Sequence, residues 1–282
     1  MRHLPTVLIE PLVRDALRED LGRAGDVTTD WVVPADREAT AELVARDPGV
    51  VAGTDLVVLA FSLLDPRVTV DVERPDGTAV APGDRVATVS GPARALLTAE
   101  RVALNFLGHL SGVATATAQI AGAISGTGTR VCCTRKTTPG LRTVEKHAVV
   151  AGGGVNHRFG LDDAVLIKDN HVALAGGVGA AVARVREAAG HLVPIEVEVD
   201  TLDQLRELLA TPVDAVLLDN MTPDQLAEAV ELVDGRMVTE ASGRLTAETA
   251  PAVAASGVDL VSAGWLTHSA PVLDIGLDLL IP

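Results

Sequence analysis

The feature that most constrains this chain is a rhythm in its second half. Apolar runs ending in polar or charged residues recur at 130–136, 164–170, 195–200, 215–220 and 237–243, and 260–264 is a less charged sixth case. Helical patterns fill several of the gaps, at Gly179 to Ala189, Leu202 to Leu209, Pro223 to Leu232 and Ala247 to Ala255. Strand followed by helix, repeated, predicts parallel strands joined by right-handed crossovers. Roughly six repeats fall short of the eight of a complete barrel, so the expectation is an incomplete α/β barrel.

That geometry says where to look for chemistry, because parallel α/β folds place their sites at the carboxyl ends of the strands. Those ends carry Arg135, Lys136, Lys168, Glu198, Asp219, Glu240 and Ser242. Packing alone asks only for apolar residues there.

The first half reads differently. Pro11 suits a first helical position, Leu12, Val13, Ala16 and Leu17 recur at helical spacing, and Gly22 can end that helix. Residues 38–91 hold short β-rich runs (Ala39 to Ala45, Val50 to Ala52, Val68 to Val72, Arg85 to Val89). Pro-Gly and Asp-Gly turns punctuate them, and a helical piece at Thr54 to Leu64 interrupts them. This predicts a small α+β unit. A long helical stretch follows from Thr98, with Arg101, Asn105, Gly108 and Gly112 on one face, which alone reads as a solvent-facing stripe.

Composition narrows the function. The chain of 282 residues has 23 basic and 38 acidic side chains, a net charge of -15, which argues against nucleic-acid and anionic-membrane partners. Aromatics are 2% with no Tyr, so the core must be aliphatic and base stacking is poorly served. The strongly apolar stretch Val57 to Leu64 is too short to span a bilayer, and the N-terminus has no apolar signal core, so the expected location is cytoplasmic. Cys132 and Cys133 are adjacent and read as small buried residues on a strand.

Within this acidic chain, residues 130–168 carry seven Lys or Arg against Glu145, Asp162 and Asp163, a local balance of +4. Two of the chain's three lysines, Lys136 and Lys168, sit at strand ends, and His147 and His157 add donors. A positive island of this kind suits a focused anion site. Gly152-Gly153-Gly154 reads either as backbone brought close to a ligand or as a flexible loop. Ser242-Gly243 and Ala263-Gly264 follow the last two strands, where barrels often hold a phosphate; Arg244 either helps or faces solvent. Glu198 and Asp219 either hold Mg²⁺ or pair with Lys136 or Lys168. Together these groups suggest a substrate carrying both carboxylates and a diphosphate.

At these residues the chain resembles the quinolinate phosphoribosyltransferase family. The resemblance runs from Glu19-Asp20-Leu21-Gly22 and Gly25-Asp26-Val27-Thr28-Thr29 through Glu100-Arg101-Val102-Ala103-Leu104-Asn105-Phe106 and Leu110-Ser111-Gly112-Val113-Ala114-Thr115. It continues at Thr134-Arg135-Lys136-Thr137-Thr138-Pro139-Gly140-Leu141-Arg142, Gly152-Gly153-Gly154-Val155-Asn156-His157-Arg158 and Ile167-Lys168-Asp169-Asn170-His171. It ends at Glu196-Val197-Glu198-Val199, Leu217-Leu218-Asp219-Asn220 and Leu266-Thr267-His268-Ser269.

The resemblance implies an N-terminal α/β sandwich domain with its connecting helix (1–110), an incomplete barrel (111–270), and a C-terminal segment (271–282) returning to the first domain. It implies conversion of quinolinate and phosphoribosyl pyrophosphate to nicotinate mononucleotide, CO₂ and pyrophosphate, with Mg²⁺, in a homodimer whose sites are shared. By position, Arg101 from the neighbouring subunit, Arg135 and Arg158 correspond to clamps for the two carboxylates, with His157 and Lys168 beside them. Lys136 bridges toward the diphosphate. Glu198 and Asp219 correspond to ribose and Mg²⁺ contacts. Lys136, Glu198 and Asp219 are the expected catalytic groups. Ser242, Gly243, Ala263 and Gly264 correspond to the 5′-phosphate cradle, with Thr134, Trp265 and His268 nearby. Arg244 departs from the family pattern, where many relatives have a second glycine.

Three rival readings stand beside this one. A Schiff-base aldolase would use Lys136 or Lys168, but both sit among groups that favour the charged amine. The Ala81-Pro82-Gly83-Asp84 turn between strands suits a biotinyl or lipoyl carrier, yet no lysine precedes Lys136. A paralogue such as the related proteins associated with molybdenum transport would keep the fold and change the acceptor.

Overall fold

Helix signals and turn chemistry lay out the first half of the chain. The computed structural model describes residues 3–280. Helix α1 (Thr6–Leu21) starts at Thr6 with Pro5 as its N-cap, not at Pro11 as the sequence suggested; Pro11 lies inside the helix. That proline lacks the amide that would bond one turn back, and the buried face of Ile9, Val13 and Leu17 holds the helix together across it. Helix α2 (Val27–Val32) is capped by Asp26, whose carboxylate accepts from the Thr29 amide at 2.9 Å.

There follow β1 (Glu38–Ala45), β2 (Gly49–Val50), α3 (Thr54–Leu64), β3 (Thr69–Val72), β4 (Ala79–Val80) and β5 (Arg85–Pro92). The two-residue β4, which pairs with β2, was not anticipated; two residues carry no readable alternation. Helix α4 (Ala93–Ala123) is 31 residues long, roughly 46 Å.

The barrel rhythm then appears as β6 (Arg130–Cys132), α5 (Arg142–Ala151), β7 (Val165–Ile167), α6 (Asp169–Ala175), α7 (Val178–Ala188), β8 (Ile195–Val199), α8 (Leu202–Leu208), β9 (Ala215–Asp219), α9 (Pro223–Val233), β10 (Val238–Ser242), α10 (Ala250–Ala254), β11 (Leu260–Ser262) and α11 (Trp265–His268). The last element is β12 (Ile275–Leu279). Capping boxes at Thr201 with Gln204 and Thr222 with Gln225 start α8 and α9.

The chain divides into two units. The first holds residues up to Ala118, Thr138–Gly153, and the chain from Thr267 onward. Its antiparallel sheet runs β12-β1-β5-β3, so the C-terminal strand pairs with β1 from Ala41↔Leu279 to Ala45↔Ile275. The face of α4 predicted to meet solvent does so only at Arg101 and Asn105. Gly108 and Gly112 are buried, and a Cβ on Gly112 would sit 2.0 Å from the Pro271 carbonyl oxygen. The glycines let the C-terminal chain lie against the helix. Gly152 does the same on another side: its missing Cβ would lie 2.2 Å from the Ala114 carbonyl oxygen. Gly152 is therefore a helix-packing position, while Gly153 beside it is exposed with a positive φ of 85°.

The second unit holds Gln119–Thr137 and Gly154–Leu266. Its six parallel strands run β6-β11-β10-β9-β8-β7, as expected for an incomplete α/β barrel. Val155 forms one further parallel bridge with Cys132, on β6. Both cysteines are buried.

Candidate active site

The carboxyl ends of the six strands converge on a cavity of about 370 Å³ in the second unit. It is lined by Thr134, Arg135, Lys136, His157, Arg158, Lys168, Glu198, Asp219 and Ser242, all predicted from sequence. Glu240 and Ser262 also line it.

Backbone hydrogen bonds bring distant residues together here. The Val155 amide donates to the Val131 carbonyl at 2.9 Å, and the Cys133 amide donates to the Val155 carbonyl at 3.2 Å. The pairing carries His157 and Arg158 to the end of β6, where Arg135 begins. The Lys136 amide donates to Thr134 Oγ1 at 3.0 Å, turning the chain as it leaves the strand. Gly264 leaves room beside it: a Cβ there would meet Lys136 Cδ at 2.8 Å and Thr134 Oγ1 at 3.3 Å. Trp265 Nε1 donates to the Leu245 carbonyl at 2.7 Å, which braces the loop after β11 against the loop after β10. Trp265 thus stiffens the loops rather than offering its N–H to a ligand.

Two guanidiniums dominate the electrostatics. Arg135 and Arg158 each bury an Nε that has no hydrogen-bond partner. Burial, and next the charge of Arg135, pull the Arg158 pKa below its ordinary value. A pair of like charges held this way is primed for an anion that answers both. Arg158 Nη1 is anchored on the Ala164 carbonyl at 3.0 Å.

The carboxylates divide into two groups. Glu198 pairs with Lys168, Nζ to Oε2 at 2.7 Å, which is one of the two fates expected for it. Asp219 Oδ2 accepts from Asn220 Nδ2 at 2.7 Å. Asn220 holds a positive φ of 53°, which asparagine tolerates better than most residues, and its amide donates to the Ser242 carbonyl.

Deeper in the barrel His157 and the strand-end Glu240 meet Glu196, which sequence reasoning left out of the site. His157 Nε2 lies 2.9 Å from Glu196 Oε2 and 3.9 Å from Glu240 Oε1. Glu240 is 2% exposed, and burial, then the neighbouring Glu196, push its pKa up to about 7. The Cys132 thiol, itself raised by burial and then by Glu240, donates to Glu240 Oε2 at 3.6 Å. The available signal was the alternation Ile195-Glu196-Val197-Glu198-Val199, which puts both glutamates on one face of β8.

The loops expected to cradle a phosphate are adjacent. Ser242, Gly243, Arg244 and Asn220 line a separate cavity of about 240 Å³. Ala263 is buried at the end of β11. Arg244 is exposed. Arg101 and His268 belong to the first unit: Arg101 is 64% exposed with Glu100 at 3.8 Å, and His268 Nδ1 meets Ser269 Oγ at 2.7 Å. The positive island is also less concentrated than its sequence spacing implied. Arg130 is exposed at the opposite end of β6, and Lys146 is buried in α5 within the first unit.

Comparison with known proteins agrees with this architecture in both parts. Residues 26–111 match the N-terminal domain of quinolinate phosphoribosyl transferase, and residues 113–278 match its C-terminal domain. A nicotinate-nucleotide pyrophosphorylase [carboxylating] of Mycobacterium leprae is 48% identical over 274 residues, 95% of each chain. The probable enzyme of that name in Bacillus subtilis is 43% identical over 279 residues, 99% of this chain and 95% of the other. The solved structure of the nicotinate-nucleotide pyrophosphorylase from Francisella tularensis superposes with a TM-score of 0.94 at 36% identity, covering 99% and 98% of the two chains. With both domains matched in order along nearly its whole length, the chain belongs to the quinolinate phosphoribosyltransferase family.

Proposed function

We propose that this protein transfers a phosphoribosyl group from phosphoribosyl pyrophosphate to quinolinate and releases CO₂, giving nicotinate mononucleotide and pyrophosphate. The observation that carries the reading is the Arg135–Arg158 pair, two half-buried guanidiniums lining one cavity, each with a buried Nε that has no hydrogen-bond partner. Two adjacent ring carboxylates answer both. A monocarboxylate leaves one guanidinium uncompensated, at a cost of roughly 1–3 kcal/mol.

The remaining groups divide the work. Lys136 stands by the loops at Gly264 and Ser242, where its charge offsets the anion that develops as pyrophosphate leaves. Glu198 and Asp219 lie where negative charge stabilises an oxocarbenium-like ribose. Ser242, Gly243 and the loop at Ala263-Gly264 receive the 5′-phosphate. Much of the rate comes from holding two anions in line for attack by the pyridine nitrogen.

Glu198 and Asp219 would also hold Mg²⁺: they supply hard carboxylate oxygens at neighbouring strand ends, and the Lys168 pair leaves Glu198 Oε1 outside its shortest contact. When bound, the ion adds positive charge at the diphosphate. Arg101, exposed on α4, is read as the clamp that one subunit of a homodimer lends to the other.

The test is a product assay with phosphoribosyl pyrophosphate and Mg²⁺, with quinolinate and nicotinate offered separately. Nicotinate mononucleotide and CO₂ from quinolinate alone are expected. Turnover of nicotinate would retain the phosphoribosyl chemistry and sink the two-carboxylate clamp. Binding of phosphoribosyl pyrophosphate without turnover of either acid would move the chain to a paralogue with another acceptor.

A further inference from the structure

A second cavity, of about 540 Å³, lies at the opposite end of the same barrel. It is walled by residues at the starts of four strands: Val165, Ile195, Ala215 and Leu260. His157, Arg158 and Glu240 line this cavity and the active-site cavity alike. These three side chains are the partition between the two spaces.

The reaction needs something at this wall that the binding groups do not supply. When the C2–carboxylate bond of the N-ribosylated ring breaks, CO₂ leaves and the electron pair stays on C2, next to the ring cation. A proton must then be added to C2. Arginine is too basic to give one up, and Lys168 is engaged with Glu198.

We propose that Glu240, buried between the two cavities and facing His157, supplies that proton through His157. His157 gives its Nδ1 proton to C2 while Nε2, 2.9 Å from Glu196 and 3.9 Å from Glu240, takes the single proton that this carboxyl pair holds. The resulting Glu240 carboxylate is reprotonated from water in the second cavity, so no charge or atom is left unbalanced. This assignment rests on the decarboxylating reading of the site.

Three observations fit the role. Glu240 Oε1 is buried without a hydrogen-bond partner and lies 3.9 Å from His157 Nε2, within reach after a small rotation. The groups facing Glu240 are His157, Glu196, Cys132 and Ser262, and none of them is a full cation other than a protonated His157. Glu240 accordingly holds its proton up to about pH 7, because burial and the Glu196 charge both disfavour the carboxylate. Its own function in the path is to store and position a proton, not to touch substrate.

The experiment is rapid-quench single turnover with phosphoribosyl pyrophosphate, Mg²⁺ and quinolinate labelled in the 2-carboxylate, comparing wild type with Glu240→Gln. The glutamine keeps shape and neutrality but has no acidic proton. In the variant, pyrophosphate should form within about threefold of the wild-type rate while labelled CO₂ slows by about 100-fold, in the range of general-acid effects. The N-ribosylated dicarboxylate should accumulate. The wild-type CO₂ step should fall above pH 7, and the residual step in the variant should not titrate there. Equal release of both products at the wild-type rate would overturn the proposal, and so would equal loss of both steps in a folded variant. If Glu240→Gln does not fold, the wild-type protein alone must show the split, with a solvent deuterium isotope effect and a fall above pH 7 confined to the labelled-CO₂ step; the same effects on the pyrophosphate step would overturn the proposal. Wild type that makes no labelled CO₂ at all would instead overturn the decarboxylating reading, and this proposal with it.

Discussion

Asp76 in the first unit and Glu240 in the second are both buried carboxylates, and they lie on opposite sides of their ordinary pKa. Burial pushes Asp76 upward, but hydrogen bonds win. His147 Nε2 meets it at 2.8 Å, the Gly53 and Thr54 amides donate at 3.1 and 3.0 Å, and Thr54 Oγ1 donates at 2.7 Å, leaving Asp76 below its usual range. Glu240 has a thiol, a hydroxyl and a repelling neighbour, and its pKa rises to about 7. The same burial thus gives a clamp in one place and a stored proton in the other. What differs is the number of donors the fold aims at the carboxylate.

At Asp76 the first unit uses charge to hold a turn together, and at Arg135 and Arg158 the second leaves half-buried charge facing a cavity. The sharpest way to break that contrast is Arg135→Ala. We expect kcat/KM for quinolinate to fall by about 100- to 1000-fold, because a charge-assisted contact made in the transition state is lost. Stability should hold or rise, since Arg158 loses a like-charged neighbour. Steady-state kinetics and a urea midpoint on the same preparation check both halves. Intact kinetics would remove Arg135 from the site, and a collapse in stability would make it a structural residue.

The mirror experiment is Asp76→Ala. Removing the carboxylate strands His147 and the amides that open α3, and the expected cost is about 3 kcal/mol. The loss should appear as a lower urea midpoint. Acid should erase the difference between the two proteins. The lowered Asp76 pKa makes its stabilisation full above the unfolded value and lost as pH falls through the folded one. A difference that persists undiminished at acid pH would mean that the carboxylate charge is not what holds this turn.

The contrast also marks what was readable in advance. The six strands were legible because five of the six apolar runs stop at polar or charged residues and helical patterns fill several of the gaps. The strand-end residues from Thr134 to Ser242 were legible because parallel folds collect such ends on one side. Asp76 was visible only as the centre of a Pro-Asp-Gly turn, since the donors that define it come from residues 53, 54 and 147. Glu240 was visible as one more strand end. Its distinctive environment comes from Glu196 and His157, on other segments of the barrel. Periodicity misjudged Gly108 and Gly112, and the triple-glycine reading missed the packing role of Gly152, for a related reason. A glycine that admits a neighbouring backbone looks the same in sequence as one that bends a loop.

The smallest expected effect sharpens the comparison most, because it reverses the sign seen at Asp76. Glu240→Gln should stabilise the fold at alkaline pH. In the folded protein Glu240 titrates near 7, against an ordinary value of 4.5. Below the ordinary value the carboxyl is protonated in both states, and the substitution is nearly neutral. Between the two values the folded state holds a proton that the unfolded state has lost, so wild-type stability from this group falls as pH rises. Above about pH 7 the loss is complete, and the variant should lead by about 2 kcal/mol, somewhat under the full value of the shift because glutamine leaves its own amide to be satisfied. Urea midpoints at pH 5, 6, 7 and 8 trace the curve. A flat difference across that range would mean that Glu240 does not titrate there. A variant less stable at every pH would mean that Glu240 is held as firmly as Asp76, erasing the contrast between the two carboxylates.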